Sequence, residues 1–136
     1  MNILILNGPN LNLLGTREPH IYGTKTLNDL EVELSDAFPE HTFEFFQSNH
    51  EGELIDILQN TDTDGVVFNP AAFTHTSVAL LDAIRGIKIP VIEVHISNIH
   101  NREVFRKESI TSAGCIGQIS GFGFKSYYLA VSALTT

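Results

Sequence analysis

Four apolar runs in this chain end abruptly in residues that can do chemistry. The first leads into Asn7-Gly8-Pro9-Asn10 and the second into Gln47-Ser48-Asn49-His50. The third leads into Asn69 and then Thr74-His75-Thr76-Ser77, and the fourth into His95-Ile96-Ser97-Asn98. Carboxamides and backbone N–H groups suit an oxyanion. Arginine suits a carboxylate or lowers a neighbouring acid's pKa, and histidine suits proton donation to a leaving oxygen. Together with Arg17 and Tyr22 in the connection after the first run, these residue types fit abstraction of a proton next to a carbonyl, followed by loss of water. Each also has a plainer reading. Tyr22 could be a packing aromatic, Arg17 the partner of Glu18, Asn10 a turn cap, and His95 a core histidine held by a carbonyl.

What is missing narrows the chemistry further. Gly8-Pro9-Asn10-Leu11 offers neither the Gly-x-Gly-x-x-Gly of a dinucleotide site nor the Gly-Lys-Ser/Thr of a phosphate loop, and no Gly-x-Ser-x-Gly elbow occurs. His75, His95 and His100 have no His-Glu-x-x-His or Cys-x-x-Cys spacing around them, so no metal site is expected. None of Lys25, Lys88, Lys107 and Lys125 stands in an apolar run at a strand end, where a Schiff base would need a desolvated amine. An FMN-binding domain would want hydroxyl-rich phosphate turns after the first run, and a phospho-receiver would want clustered Asp. A non-catalytic binding or regulatory domain of the same architecture is the alternative function.

The elements that must position these residues follow from periodicity. Residues 2–6, 42–46, 65–68, 89–94 and, more weakly, 110–119 read as strands. Between them, Leu27/Leu30/Leu34/Ala37, Leu54/Ile57/Leu58, Val78/Leu81/Ile84 and Phe124/Tyr127/Tyr128/Val131/Leu134 recur at helical spacing. Ser48 and Glu51 form a capping-box pattern, Thr74, Thr76 and Ser77 offer caps for the third helix, and residues 101–107 read as a short helix or turn. Five strands alternating with helices predict an α/β fold, a doubly wound parallel sheet of flavodoxin-like order. Right-handed crossovers would bring the polar strand ends to one edge. The connection from Gly8 to Gly23 exceeds the usual βα turn of about 2–6 residues and reads as a lid.

Composition sets the outer bounds. A chain of 136 residues fits a single domain, and 16 acidic against 8 basic side chains give a net charge of −8, which argues against nucleic acid and anionic membranes as partners. No apolar run is long enough to span a bilayer and the N-terminal segment does not resemble a signal peptide, so a cytoplasmic location is expected. The single cysteine, Cys115, lies in Ala113-Gly114-Cys115-Ile116 and reads as core filling.

Several longer motifs occur together and in order: Asn7-Gly8-Pro9-Asn10-Leu11-Asn12-Leu13-Leu14-Gly15-Thr16-Arg17-Glu18-Pro19, Tyr22-Gly23, Gln47-Ser48-Asn49, Asn69-Pro70, Thr74-His75-Thr76-Ser77, Glu93-Val94-His95-Ile96-Ser97-Asn98 and Phe105-Arg106. From residue 2 to about 134 the chain resembles the type II 3-dehydroquinate dehydratases. The resemblance implies a flavodoxin-like three-layer sandwich with a five-stranded parallel sheet, residues 1–136 forming a single catalytic domain, and neither cofactor nor metal. It also implies a homododecamer built as a tetramer of trimers. The implied reaction is dehydration of 3-dehydroquinate to 3-dehydroshikimate by anti elimination through an enolate. That step belongs to the shikimate pathway, and so to aromatic amino acid biosynthesis, or to quinate use.

The resemblance also implies roles. Tyr22 would be the base, with Arg17 beside it. A free tyrosine titrates near ~10, so a tyrosinate at neutral pH needs about 4 kcal/mol of help, for which a guanidinium in a closed site is a reasonable source. Asn10 would steady the enolate, and His95 would protonate the departing hydroxyl. Glu93, two residues earlier on the same side of a strand, would orient the His95 ring. Asn69, Ile96 and Ser97 would bind the substrate carboxylate, and His75 and Arg106 its hydroxyls. Asp82 would reach a neighbouring subunit's site, and Arg102 would either close the lid or pair with Glu103 or Glu18. The departures are Phe73, where relatives often have Tyr, His20 at a variable lid position, and a last helix ending soon after Leu134.

Overall fold

In the computed structural model, residues 1–16, 20 and 23–136 are described. Five strands, β1 (Asn2–Asn7), β2 (Thr42–Gln47), β3 (Gly65–Asn69), β4 (Val91–His95) and β5 (Gly117–Ser120), form one sheet in the order β2-β1-β3-β4-β5. Every pairing is parallel. Four α-helices are found among the described residues: α1 (Leu27–Ala37), α2 (Glu51–Asn60), α3 (Val78–Gly86) and α4 (Lys125–Thr135). The three central strands read as near-continuous apolar runs because both faces of a parallel sheet are covered. Alternate residues go to opposite layers. Ile3 and Ile5 of β1 pack with Leu30 and Leu34 of α1 and Val131 of α4, whereas Leu4 and Leu6 pack with Leu54 and Leu58 of α2 and Leu80 and Ile84 of α3. The strand order reverses between β1 and β3, which is where ligands bind in open sheets of this kind. No helix among the described residues is long and apolar enough to cross a membrane.

Local chemistry explains where the elements start and stop. Thr26 and Asp29 form a reciprocal capping box on α1, and Ser77 Oγ accepts from Leu80 N at 2.9 Å to cap α3. The box expected at Ser48 and Glu51 does not form. Ser48 Oγ accepts instead from His50 N at 3.0 Å, in a local turn that uses the hydroxyl before the helix begins. Thr74 and Thr76 do not cap α3 either, because Thr74 is turned into the protein. On α3 the buried stripe is Leu80, Ala83 and Ile84, and Val78 is 57% exposed. The run Val78-Ala79-Leu80-Leu81 is apolar all round, so several stripes fit its spacing.

The expected fifth strand is the largest correction. Thr111–Gly114 is a 3-10 turn, and pairing with β4 begins only at Gly117. Ile110 N is taken by Thr74 O at 2.7 Å, and the side chains of Ser109 and Thr111 are drawn inward by a buried carboxylate, so this stretch cannot lie flat beside β4. The strand expected over 89–94 starts later, since Pro90 has no N–H for a ladder. Residues 101–107 contribute to two 3-10 turns, Ile99–Asn101 and Val104–Arg106.

Candidate active site

β1 and β3 end in register at Asn7 and Asn69, both buried. Between their side chains stands the fully buried phenol of Tyr127 on α4, donating to Asn7 Oδ1 at 2.6 Å and accepting from Asn69 Nδ2 at 2.9 Å. Burial pushes the Tyr127 phenol well above its usual range, so it serves as a protonated link rather than a base. Asn69 Oδ1 accepts from Ala71 N at 3.0 Å, holding Ala71 at φ 53 in a conformation that few non-glycine residues adopt. Gly8 N donates to Asn69 O at 2.8 Å, and a Cβ at Gly8 would come within 2.6 Å of Pro70 O. The two strand-end loops are therefore in backbone contact. Asn10, at φ 68, is pinned by its N–H on Asn49 Oδ1 at 3.0 Å, and Gln47 Nε2 steadies Asn49 from β2 at 3.0 Å.

β4 carries a different device. Glu93 and His95 point to the same layer, and His95 Nε2 lies 2.8 Å from Glu93 Oε2 with both side chains buried. The same oxygen accepts from Ser109 Oγ at 2.7 Å, Gln118 Nε2 at 2.8 Å and Thr74 Oγ1 at 2.9 Å, while Thr111 Oγ1 donates to Oε1. Burial drives this carboxyl's pKa upward, but His95 and the hydroxyls of Thr111 and Ser109 outweigh it and hold the group down at about 2. Glu93 is thus ionised and can only accept, so His95 Nε2 carries the shared proton and Nδ1 is the atom left to meet a ligand. The His95 carbonyl accepts from Gly121 N at 3.1 Å and Ser126 Oγ at 3.2 Å, which ties the end of β4 to α4.

These ends open on a small cleft lined by Leu11, Ile99, Asn69, His95 and Ile96. His75 Nδ1 lies 2.7 Å from the Glu108 carbonyl and so donates to it, which puts the lone pair of the neutral ring on Nε2. Arg106 stacks over Phe105 at 5.1 Å, and its Nε lies 2.7 Å from Glu103 Oε2, an ion pair whose N–H does not align as a hydrogen bond. Amides, two histidines and arginines around a small concavity suit a compact anionic, hydroxylated molecule. Among the described residues no three His, Cys, Asp or Glu side chains gather as a metal set.

A family model for dehydroquinase class II matches residues 1–135. The chain belongs to the class II dehydroquinase family. Among its curated relatives, the 3-dehydroquinate dehydratase of Prochlorococcus marinus subsp. pastoris is 56% identical over 98% of this chain and 94% of its own length. The 3-dehydroquinate dehydratase of an Exiguobacterium strain is 57% identical over 98% of this chain and 94% of its own length. The crystal structure of type II dehydroquinase from Butyrivibrio crossotus superposes with a TM-score of 0.97 at 45% identity, covering 100% of this chain and 98% of that one. Membership makes the chain an enzyme, a hydro-lyase of the dehydroquinase class.

In this dehydroquinase chain Asn10, Asn69, His75, His95, Ile96, Ser97 and Arg106 all line one cleft, and Arg102 joins them. Asp82 does not line it but stands exposed on α3. Arg17 and Tyr22 lie outside the described residues. Sequence reasoning overlooked the Tyr127 link and the hydroxyl and amide groups around Glu93. Tyr127 was indistinguishable from a core aromatic at helical spacing. Thr111 sat in a stretch that reads as strand. The available signal was Glu93 itself, since an acid inside the apolar run Pro90-Val91-Ile92-Glu93-Val94 must find donors. Cys115, by contrast, is the filler expected. Burial, then the nearby Glu93 charge, push its thiol up to about 12, which leaves it protonated and inert at neutral pH.

Proposed function

We propose that the chain converts 3-dehydroquinate to 3-dehydroshikimate by anti elimination through an enolate, with Tyr22 as base and His95 as acid. The observation that carries the acid assignment is the buried His95–Glu93 pair at 2.8 Å, with His95 lining the cleft. Tyr22, ionised beside Arg17, takes the proton next to the ketone. The resulting enolate is steadied by Asn10, whose backbone is held at the cleft wall by Asn49. With Nε2 held on Glu93, Nδ1 is the ring atom that hands a proton to the departing hydroxyl, which leaves as water. Tyr22 ends neutral and His95 loses one proton, so a proton returned through solvent resets the pair. Asn69, Ile96 and Ser97 bind the carboxylate, and His75 and Arg106 the hydroxyls. Their shared place in one cleft supports contact with the same small molecule.

The same reading takes residues 1–136 as one catalytic domain working without cofactor or metal in the shikimate pathway, in the cytoplasm, as a tetramer of trimers. Asp82 would then complete a neighbour's site, which its exposed place on α3 supports. The test is ultraviolet absorbance of the conjugated enone when 3-dehydroquinate is added. Wild type should give a steady rise. Tyr22→Phe should fall by roughly a hundredfold or more in kcat while still folding, the scale expected of a lost general base. Near-full activity in that variant would remove Tyr22 from the role.

A further inference from the structure

We propose that Thr111, Ser109 and Gln118 are positioning residues that clamp the Glu93 carboxylate in one orientation, aim the His95 ring through it, and set how readily His95 gives up its proton. The last part rests on His95 being the acid. None of the three lines the cleft. They act through Glu93, which Ser109 and Thr111 reach from the stretch leading into β5 and Gln118 from β5 itself.

The geometry separates their tasks. Ser109 and Gln118 donate to Oε2 at 2.7 Å and 2.8 Å, the oxygen that His95 also uses, whereas Thr111 is the member of this set that takes Oε1. With both oxygens held, the carboxylate cannot rotate about its last torsion, and the direction of the His95 bond is fixed. Gln118 stands opposite Glu93 in the β4–β5 ladder, so its amide reaches that oxygen from the neighbouring strand. Each hydroxyl has one proton. With those of Ser109 and Thr111 spent on Glu93, Thr74, 2.7 Å from each of them, turns its own toward Glu93 or toward one of its neighbours. The clamp also spreads the carboxylate's charge over several donors. A carboxylate stripped of one donor would grip the His95 proton harder and make it a poorer acid.

Other titratable groups near the pair are few. Cys115 approaches Glu93 from the turn before β5 and stays neutral, and Tyr127 on α4 is committed to Asn7 and Asn69. His75, Arg102 and Arg106 share the cleft, Arg106 with Glu103 beside it. These groups are common to wild type and to the variants below, so the difference between them on removing a clamp donor reports the clamp.

Thr111→Val keeps shape and removes one hydroxyl. The alkaline limb of the kcat/KM profile should move up by about one pH unit. kcat should fall roughly tenfold with KM within about twofold, since substrate contacts are untouched. Thr111→Ser, which restores the hydroxyl, should return both toward wild type. Gln118→Met removes a second donor at an exposed residue, with a smaller shift of the same sign expected. An unmoved limb in both variants, or a Thr111→Ser enzyme as impaired as Thr111→Val, would overturn the proposal. Nitrogen-15 shifts of the His95 ring give a readout independent of turnover. Wild type should show the neutral ring protonated on Nε2, and Thr111→Val ring shifts displaced from those of wild type; coincident spectra would overturn the aiming role. Full turnover in His95→Asn would instead sink the acid assignment, and with it the claim on proton release, leaving the aiming of the ring to be judged on the spectra.

Discussion

A carboxylate taken out of water loses several kcal/mol of hydration unless donors replace it. At Glu93 the replacement comes from His95, Thr111, Ser109, Thr74 and Gln118. That arrangement makes the residue a pH-dependent part of the fold as well as of the site. Its carboxyl is held at about 2 against an ordinary 4.5, so unfolding lets it bind a proton more readily. The stability it contributes is complete above the unfolded value and is lost as pH falls through the folded one, with a size on the order of 3 kcal/mol. Urea unfolding from pH 5 down to about pH 2 should therefore show a steeper loss in wild type than in Glu93→Gln. Parallel curves would mean that the ionised form gains nothing from its donors.

Among the elements, the loops after β1 and β3 depend most on one residue. Gly8 lets its backbone run against Pro70, where a Cβ would sit 2.6 Å from a carbonyl oxygen. Gly8→Ala must push the two loops apart and break the Gly8 N to Asn69 O bond, at a cost of about 2–4 kcal/mol, the range for an overpacked contact plus a lost buried hydrogen bond. Thermal unfolding should report the loss, and KM should rise because Asn10 and Asn69 flank the junction. An unchanged melting temperature would show that the loops separate freely. The helices were readable from spacing because each has a wet face. The ends of β4 and β5 were not, because Pro90 delays one and the pull of Glu93 on Ser109 and Thr111 shortens the other.

At the scale of the whole molecule, the order β2-β1-β3-β4-β5 brings residues more than eighty positions apart to one edge, as with Asn10 and His95. Arg102 and Arg106 at that edge are two of only eight basic residues in a chain of net charge −8, so cationic groups are concentrated where a small carboxylate would be held. Asp82 stands apart from that edge on the exposed side of α3. In the proposed trimer it would serve a neighbour. Asp82→Asn should then lower activity without moving the unfolding midpoint of the isolated fold, and sedimentation of wild type should give a mass near twelve chains of 15.0 kDa. A monomer that is fully active would refute both expectations.

Alternation of apolar runs with helical periods was enough to read an α/β fold with a parallel sheet, and strand-end polarity was enough to gather Asn10, Asn69, His75, His95 and Ser97, because both are local consequences of which side chains leave water. The roles attached to those residues came from motif resemblance, and the comparisons support the family to which they belong. Only tertiary structure decided that Tyr127 links Asn7 to Asn69, that Thr111, Ser109 and Gln118 converge on Glu93, and that Asp82 lies outside the cleft. Hydrogen bonds between residues far apart in sequence leave no periodic trace along the chain, since a buried donor is chosen by the acceptor that packing places beside it.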